Sequence, residues 1–413
     1  MKRFWQKYLW AILLSATGGP VFAQNKGFEN RIHGAQPSPE VIVGAAQMPV
    51  LLPLLQGKQV GLVVNQSSLV GQTHLVDTLV SSGICVTRIY APEHGFRGGG
   101  EAGERIPDSQ DARTGIPIVS LYGRKVKPQP SDLAEVEVVV VDLQDVGARF
   151  FTYISTLLYM LEACAEQGKT VIVLDRPNPN GHFVDGPMLD MRWESFVGIA
   201  PLPIAHGCTM GELARLFVGE HWIREPQTLH LVVVPCRNYT HQTPYNLQVR
   251  PSPNLPDMRS VLLYPSICLF EGTVASLGRG TFWPFQMVGH PNFPDGSFAF
   301  IPQSNAGSKY PPLAGKICRG FDLRQVPLDS LRNTKQLNLN YLLDFYREFP
   351  QKDSFFLANK FFDLLAGNSN LKAQIIAGCS EAEIRASWQS DLAIYREIRR
   401  KYLLYPDESE AKP

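Results

Sequence analysis

Five short apolar runs, each rich in β-branched residues and each leading to a polar side chain, constrain this chain more than any other feature. They are VGLVV before Asn65, CVTRIY shortly before Glu93, IPIVSL before Tyr122, VEVVVV before Asp142 and TVIVL before Asp175. Runs this continuously apolar read as strands covered on both faces, the environment of a parallel sheet. A helix fits between the last two, where Ile154, Leu157, Leu158, Leu161 and Cys164 recur at helical spacing and Gly168 supplies a stop. The unit is β-α-β, and the expected class is α/β with a doubly wound, mostly parallel sheet of Rossmann-like order.

In such sheets ligands bind beyond the carboxyl ends of the strands. Asn65, Glu93, His94, Tyr122, Asp142, Gln144, Asp145, Asp175 and Arg176 all stand at or just after expected strand ends, so one edge of the sheet collects residues far apart in sequence. Any one of them can instead cap a helix or satisfy a turn.

Thr209 to Glu212, TMGE, reads as a capping box opening the helix ELARLFVGEHW. The expected organisation is a Rossmann-like domain over 24–220 that carries most of the cleft, and a smaller α/β (α+β) domain over 221–413 that closes it. The proline-rich VRPSPNLPDMRS is an ordered connection rather than a flexible linker, since glycine and serine do not dominate it. The chain ends in helical patterns, NLNYLLDFYREF and SEAEIRASWQSDLAIYREIRRKYLLY. The second is opened by Ser380 and Glu383 and carries a packing stripe of Ile384, Trp388, Leu392, Tyr395 and Ile398.

The first residues are basic (MKRFWQKY), then apolar (LWAILLSA), and end in TGGPVFA before Gln24. That is the pattern of a cleaved export signal over 1–23, so the mature chain is expected to be periplasmic or secreted. The apolar stretch is shorter than the about 20 residues a bilayer requires, and no later segment qualifies as membrane-spanning. Lys and Arg total 39 against 38 Asp and Glu, without the basic excess expected of a nucleic-acid binder. Seven cysteines stand singly, with no C-x-x-C and no H-E-x-x-H, so metal-ligand spacing is absent. Most read as buried small hydrophobes, and one disulfide is compatible with export.

Glu93 is the strongest single candidate for chemistry. A carboxyl that follows a buried strand between Pro92 and Phe96 is expected to be partly desolvated, which raises its pKa and suits a general acid. His94 and Arg97 beside it can hold an anion, and Gly98 to Gly100 let the backbone approach a ligand closely. This is neither G-x-G-x-x-G nor a phosphate-binding Walker loop, so a dinucleotide site is rejected. A second cluster, DLQDVGARFFTY, brings Asp142, Gln144, Asp145, Arg149 and Tyr153 within twelve residues, with Phe150 and Phe151 as apolar faces. The mixture suits a carbohydrate, and it also suits an Asp-Arg pair tying a loop to a helix start. LDRPNPNG offers Asn178 and Arg176 from a rigid turn. PIAHGCTMGE sets His206 before a helix N-terminus, where backbone N–H groups favour an anion. FEGTVASLGRGTFWPF adds Glu271, Arg279 and Trp283. No G-x-S-x-G elbow supports serine hydrolysis.

Taken in order, APEHGFRG, DLQDVGARFFTYISTL, LDRPNPNG, HGCTMGELA, PSPNLP and LFEGT…GRGT…PF resemble the signature segments of the NamZ-type exo-β-N-acetylmuramidases. The likeness runs from about Val41 to the C-terminus. It implies a glycoside hydrolase that releases terminal N-acetylmuramic acid from the non-reducing end of peptidoglycan fragments, with the active site between a Rossmann-like and a smaller domain and no nicotinamide or metal. By motif, Glu93 is the acid, with His94, Arg97, Asp142, Gln144, Asp145, Arg149 and Tyr153 around the sugar and Glu271 and Arg279 from the second region. An Asp such as Asp145 would orient the 2-acetamido group if that group takes part. The chain departs from the family pattern at Val274 and at TFWPF, which replaces a more polar stretch. Two α/β domains around a cleft also describe a non-catalytic periplasmic receptor for muropeptides or sugars, and ligand-induced stabilisation without product would mark that alternative.

Overall fold

Seven strands form the central sheet: β1 (Gln59–Val64), β2 (Cys85–Ala91), β3 (Ser109–Gln110), β4 (Pro117–Ser120), β5 (Val138–Asp142), β6 (Thr170–Leu174) and β7 (His230–Val234). Their order is β7-β6-β5-β1-β2-β4-β3, parallel throughout except for the short β3, which pairs antiparallel with β4. The structure, a computed structural model, describes residues 39–407 apart from 99, 101–102, 105–106 and 295–297. The expected export signal over 1–23 lies outside the described residues. All five apolar runs are strands, and β7 extends the sheet with LHLVVVP, a segment read above as belonging to the second region.

The sheet is parallel because both of its faces are covered. Along β5, Val138 and Val140 enter the core beneath helix α1 (Leu75–Ser81), while Val139 and Val141 enter the core beneath α2 (Tyr153–Ala165) and α3 (Met210–Gly219). Such alternation into two apolar layers excludes a solvated face. The Thr209–Glu212 capping box opens α3, as its sequence requires, and Gly168 turns the chain after α2 at φ 59°.

The α2–α3 core continues without a break into the C-terminal region, where Phe293, Phe321, Phe345, Phe349 and Phe355 pack together. That region holds a three-stranded antiparallel sheet (Met287–His290, Cys318–Asp322, Ala299–Phe300) and short helices. The last helical pattern divides into Glu381–Ala386 and Gln389–Arg400, because Trp388 leaves helical geometry to donate its indole N–H to Asp185 at 3.1 Å. From Glu40 onward the described residues belong to one compact unit. All seven cysteines are free thiols, five of them buried. Among the described residues no helix is long and apolar enough to cross a membrane.

Candidate active site

Beyond β2 the chain reverses sharply. Pro92 fixes its own φ, and His94 and Gly95 then both take positive values, 71° and 76°. Gly95 N–H closes on the Pro92 carbonyl at 3.0 Å, and Gly100 N–H on the His94 carbonyl at 3.1 Å. A histidine in the left-handed region costs about 1 kcal/mol or more, and such strain persists only where the surroundings impose it. Here His94 is buried, with Nδ1 3.0 Å from the Gly100 carbonyl. The reversal leaves Glu93, half-buried, at the carboxyl end of the sheet.

Glu93 lines a cavity of about 330 Å³. The walls come from His94, from Tyr122 after β4, from Phe150 to Tyr153 at the start of α2, from Ser252 and Asn254, and from Tyr264, Glu271, Arg279 and Phe285 of the C-terminal region. Aromatic rings dominate, joined edge to face: Phe151 with Tyr153 at 4.7 Å, Phe150 with Tyr264 at 5.3 Å, and Tyr264 with Phe285 at 5.0 Å. Phe285 is a second left-handed residue, at φ 61°, and for so bulky a side chain that is a marked outlier. Of the seven non-glycine residues with positive φ among the described residues, these two line the cavity.

The Glu93 carboxylate is held at both oxygens. Oε2 accepts the Thr152 hydroxyl at 2.6 Å, and Oε1 accepts the Gly103 N–H at 3.0 Å. Tyr122 also bonds to Glu93; burial first, and then the Glu93 charge, push its hydroxyl pKa well above the usual value, so it stays a donor. The cavity's other carboxylate, Glu271, is gripped by Arg279, whose Nε lies at 2.7 Å and whose Nη2 donates to the same oxygen. Burial disfavours the Arg279 charge, but Glu271 outweighs it and the guanidinium pKa is raised. Arg279 also sits 5.1 Å over the Phe285 ring.

Of the residues singled out from sequence, Glu93, His94, Tyr122, Phe150, Phe151, Tyr153, Glu271 and Arg279 line this cavity. The others do not. Asp142 is fully buried and takes two bonds from Arg176, at 2.5 and 2.9 Å, filling the crevice between β5 and β1 where such sheets bind ligands. Asn65, at the end of β1, accepts from the Ser67 N–H and hydroxyl. Gln144 donates to the Asp145 and Pro177 carbonyls, and Asn178 to the Cys208 carbonyl. Asp145 accepts the Gly147 N–H at 2.6 Å and faces His206 at 3.3 Å, both side chains buried and neither among the residues that line the cavity. Arg149 is buried and donates to the Pro187, Leu202 and Leu365 carbonyls; with no acid against it among the described residues, burial lowers its pKa to about 9. Arg97 is exposed and pairs with Asp111 at 3.1 Å in a neighbouring depression.

Thr152, Ser252, Asn254, Tyr264 and Phe285 were not singled out as site residues. Thr152 adjoins Tyr153, Ser252 and Asn254 lie in the quoted PSPNLP segment, and Phe285 ends the quoted LFEGT…GRGT…PF segment, so a signal existed for four of them. Tyr264 carries none, since a core aromatic and a cavity aromatic look alike in sequence.

Residues 60–259 match the N-terminal part, and residues 262–405 the C-terminal part, of the exo-beta-N-acetylmuramidase NamZ family. The chain belongs to that family. It is 36% identical over 374 residues to the peptidoglycan beta-N-acetylmuramidase NamZ of Bacillus subtilis, covering 85% of this chain and 88% of that protein. Two crystal structures of DUF1343 family proteins from Bacteroides fragilis share the fold. One is 43% identical with TM-score 0.83, covering 90% of this chain and all of the other; the second is 27% identical with TM-score 0.77, covering 89% and all. The cavity draws its walls from both matched parts, with Glu93 from the first and Glu271 from the second.

Proposed function

We propose that this chain is an exo-acting glycoside hydrolase that removes N-acetylmuramic acid from the non-reducing end of peptidoglycan fragments, with Glu93 as general acid and Glu271 as general base. The observation that carries the reading is the pairing, in one aromatic cavity, of a carboxyl held by neutral donors with a second carboxyl held by a guanidinium. Glycoside hydrolysis pairs a carboxyl that gives a proton with a second group that takes one or attacks. Glu93 delivers a proton to the bridging oxygen as the bond to the ring carbon breaks, and Glu271, paired with Arg279, takes a proton from the attacking water. Arg279 spends Nε and Nη2 on Glu271, which leaves Nη1 to meet the lactyl carboxylate through a charge-assisted bond. The rings of Tyr122, Phe151 and Tyr153 offer faces to the apolar side of the sugar. Export through the signal over 1–23 would bring the enzyme to such fragments in the periplasm.

Glu93→Gln tests the assignment. With the disaccharide of N-acetylmuramic acid and N-acetylglucosamine as substrate and products read by mass, the variant is expected to keep its fold and lose about 10²–10⁴-fold in turnover. Undiminished turnover removes Glu93 from the chemistry, and wild-type binding without products returns the chain to the sugar-receptor reading.

A further inference from the structure

At about 330 Å³ the cavity is at the small end of the ~300–1,000 Å³ range of ligand pockets, and on the muramidase reading it holds the one sugar that is released, so the sugar beyond the cleaved bond lies outside it. Three aromatic side chains stand at the surface on loops that also build the cavity wall. Phe282 is 83% exposed, Trp283 42% and Tyr310 92%. Phe282 and Trp283 form the tip of a loop closed by the bond from Phe285 N–H to the Leu277 carbonyl, and the same loop supplies Arg279 and Phe285 to the cavity. Tyr310 follows a turn anchored on another wall residue, since Asn254 donates to the Gly307 carbonyl at 2.9 Å. The two loops are joined by Gln303 N–H to the Gly280 carbonyl and by the Asn305 amide to the Thr281 carbonyl. Lys309, next to Tyr310, reaches Glu104 in the segment that donates Gly103 N–H to Glu93. Arg324 backs the Trp283 ring at 4.9 Å and holds it in place.

We infer that Phe282, Trp283 and Tyr310 form the platform for the leaving saccharide, stacking on the C–H face of the amino sugar released from the scissile bond. The inference rests on the muramidase reading. Exposed aromatics of this size cost solvation unless a ligand covers them, and these belong to loops pinned to the wall of a pocket that holds only one residue of its substrate. Their contribution is to specificity for the leaving group and not to the proton transfers.

Two substrates separate the roles: methyl β-N-acetylmuramide, whose leaving group is too small to reach the platform, and the N-acetylmuramic acid–N-acetylglucosamine disaccharide. For Phe282→Ala, Tyr310→Ala and the triple Phe282→Ala/Trp283→Ala/Tyr310→Ala variant, the expected result is kcat/KM within twofold of wild type on the methyl glycoside. On the disaccharide KM rises about tenfold in the triple variant, and Phe282→Tyr retains wild-type behaviour. An unchanged KM for the disaccharide in the single and triple variants overturns the platform, as does an equal loss on both substrates. Wild-type enzyme that cleaves neither substrate refutes the muramidase reading itself, a different failure, and the platform falls with it.

Discussion

The Thr152 hydroxyl donates to Oε2 of Glu93 at 2.6 Å, joining the start of α2 to the turn that follows β2. This bond fixes the rotamer of the proposed acid. A hydrogen bond to a charged group contributes about 1.5–3 kcal/mol. Thr152→Val is therefore expected to lower kcat on the disaccharide by about ten- to a hundredfold, with little change in Tm. Thr152→Ser, which keeps the hydroxyl, should restore the rate. An undiminished kcat in Thr152→Val would limit Thr152 to packing.

Glu271 and Arg279 act as a unit in the proposed mechanism, which makes their variants informative together. Glu271→Ala removes the base and leaves the acid, so turnover on the disaccharide is expected to fall about 10²–10⁴-fold. Added azide, which attacks without needing deprotonation, should recover turnover as a glycosyl azide, detectable by mass. Arg279→Met leaves Glu271 without its cation and removes a donor for the lactyl group, so both kcat and KM should suffer. Azide without effect on Glu271→Ala would deny Glu271 the role of base.

Arg149 is expected to matter to stability and not to the sugar. Its guanidinium links three carbonyls, from Pro187, Leu202 and Leu365, and so ties the loop before α2 to the C-terminal region. Each buried acceptor left without a partner costs about 1–3 kcal/mol. Arg149→Met should lower the unfolding free energy by about 3 kcal/mol or more in urea titrations, while the folded fraction keeps KM within twofold. A tenfold rise in KM at unchanged stability would place Arg149 in contact with substrate after all.

The strands and the position of Glu93 were legible because periodicity reports burial, and burial on both faces leaves a parallel sheet as the consistent solution. What periodicity does not report is which way a polar residue turns at a strand end. Glu93 and Asp142 look equivalent in sequence, each closing an apolar run, yet one lines the cavity and the other is consumed by Arg176. The deciding partner lies 34 residues away, and no local pattern announces it. Asp145 and His206 behave alike: both stand at the expected rim, and each is buried against the other. The second wall was harder to see. Tyr264 sits within a helix and Phe285 follows a proline, and only the packing of the C-terminal region against α2 gives them a shared cavity.

Asp175, at the end of β6, gives the fold a pH dependence of unusual sign. Burial raises its carboxyl pKa to about 6, against hydrogen bonds from Tyr405 and Thr209 and with the nearby Glu212 charge adding to the rise. In the unfolded chain the group returns to its ordinary value of about 3.9. Between about pH 4 and 6 the folded chain therefore holds the proton and the unfolded chain does not. Stability rises with pH only where the unfolded state binds more protons; here the reverse holds, and this group's contribution falls as pH rises through the window. Two pKa units correspond to about 3 kcal/mol. Asp175→Asn removes the titration, so the stability difference between wild type and variant, from urea titrations at pH 4 and pH 7, is expected to shift against wild type by up to about 3 kcal/mol on going to the higher pH. A difference that stays constant, or moves in favour of wild type, would mean that Asp175 is ionised in the folded chain throughout, with the Tyr405, Thr209 and Gly211 donors outweighing its burial.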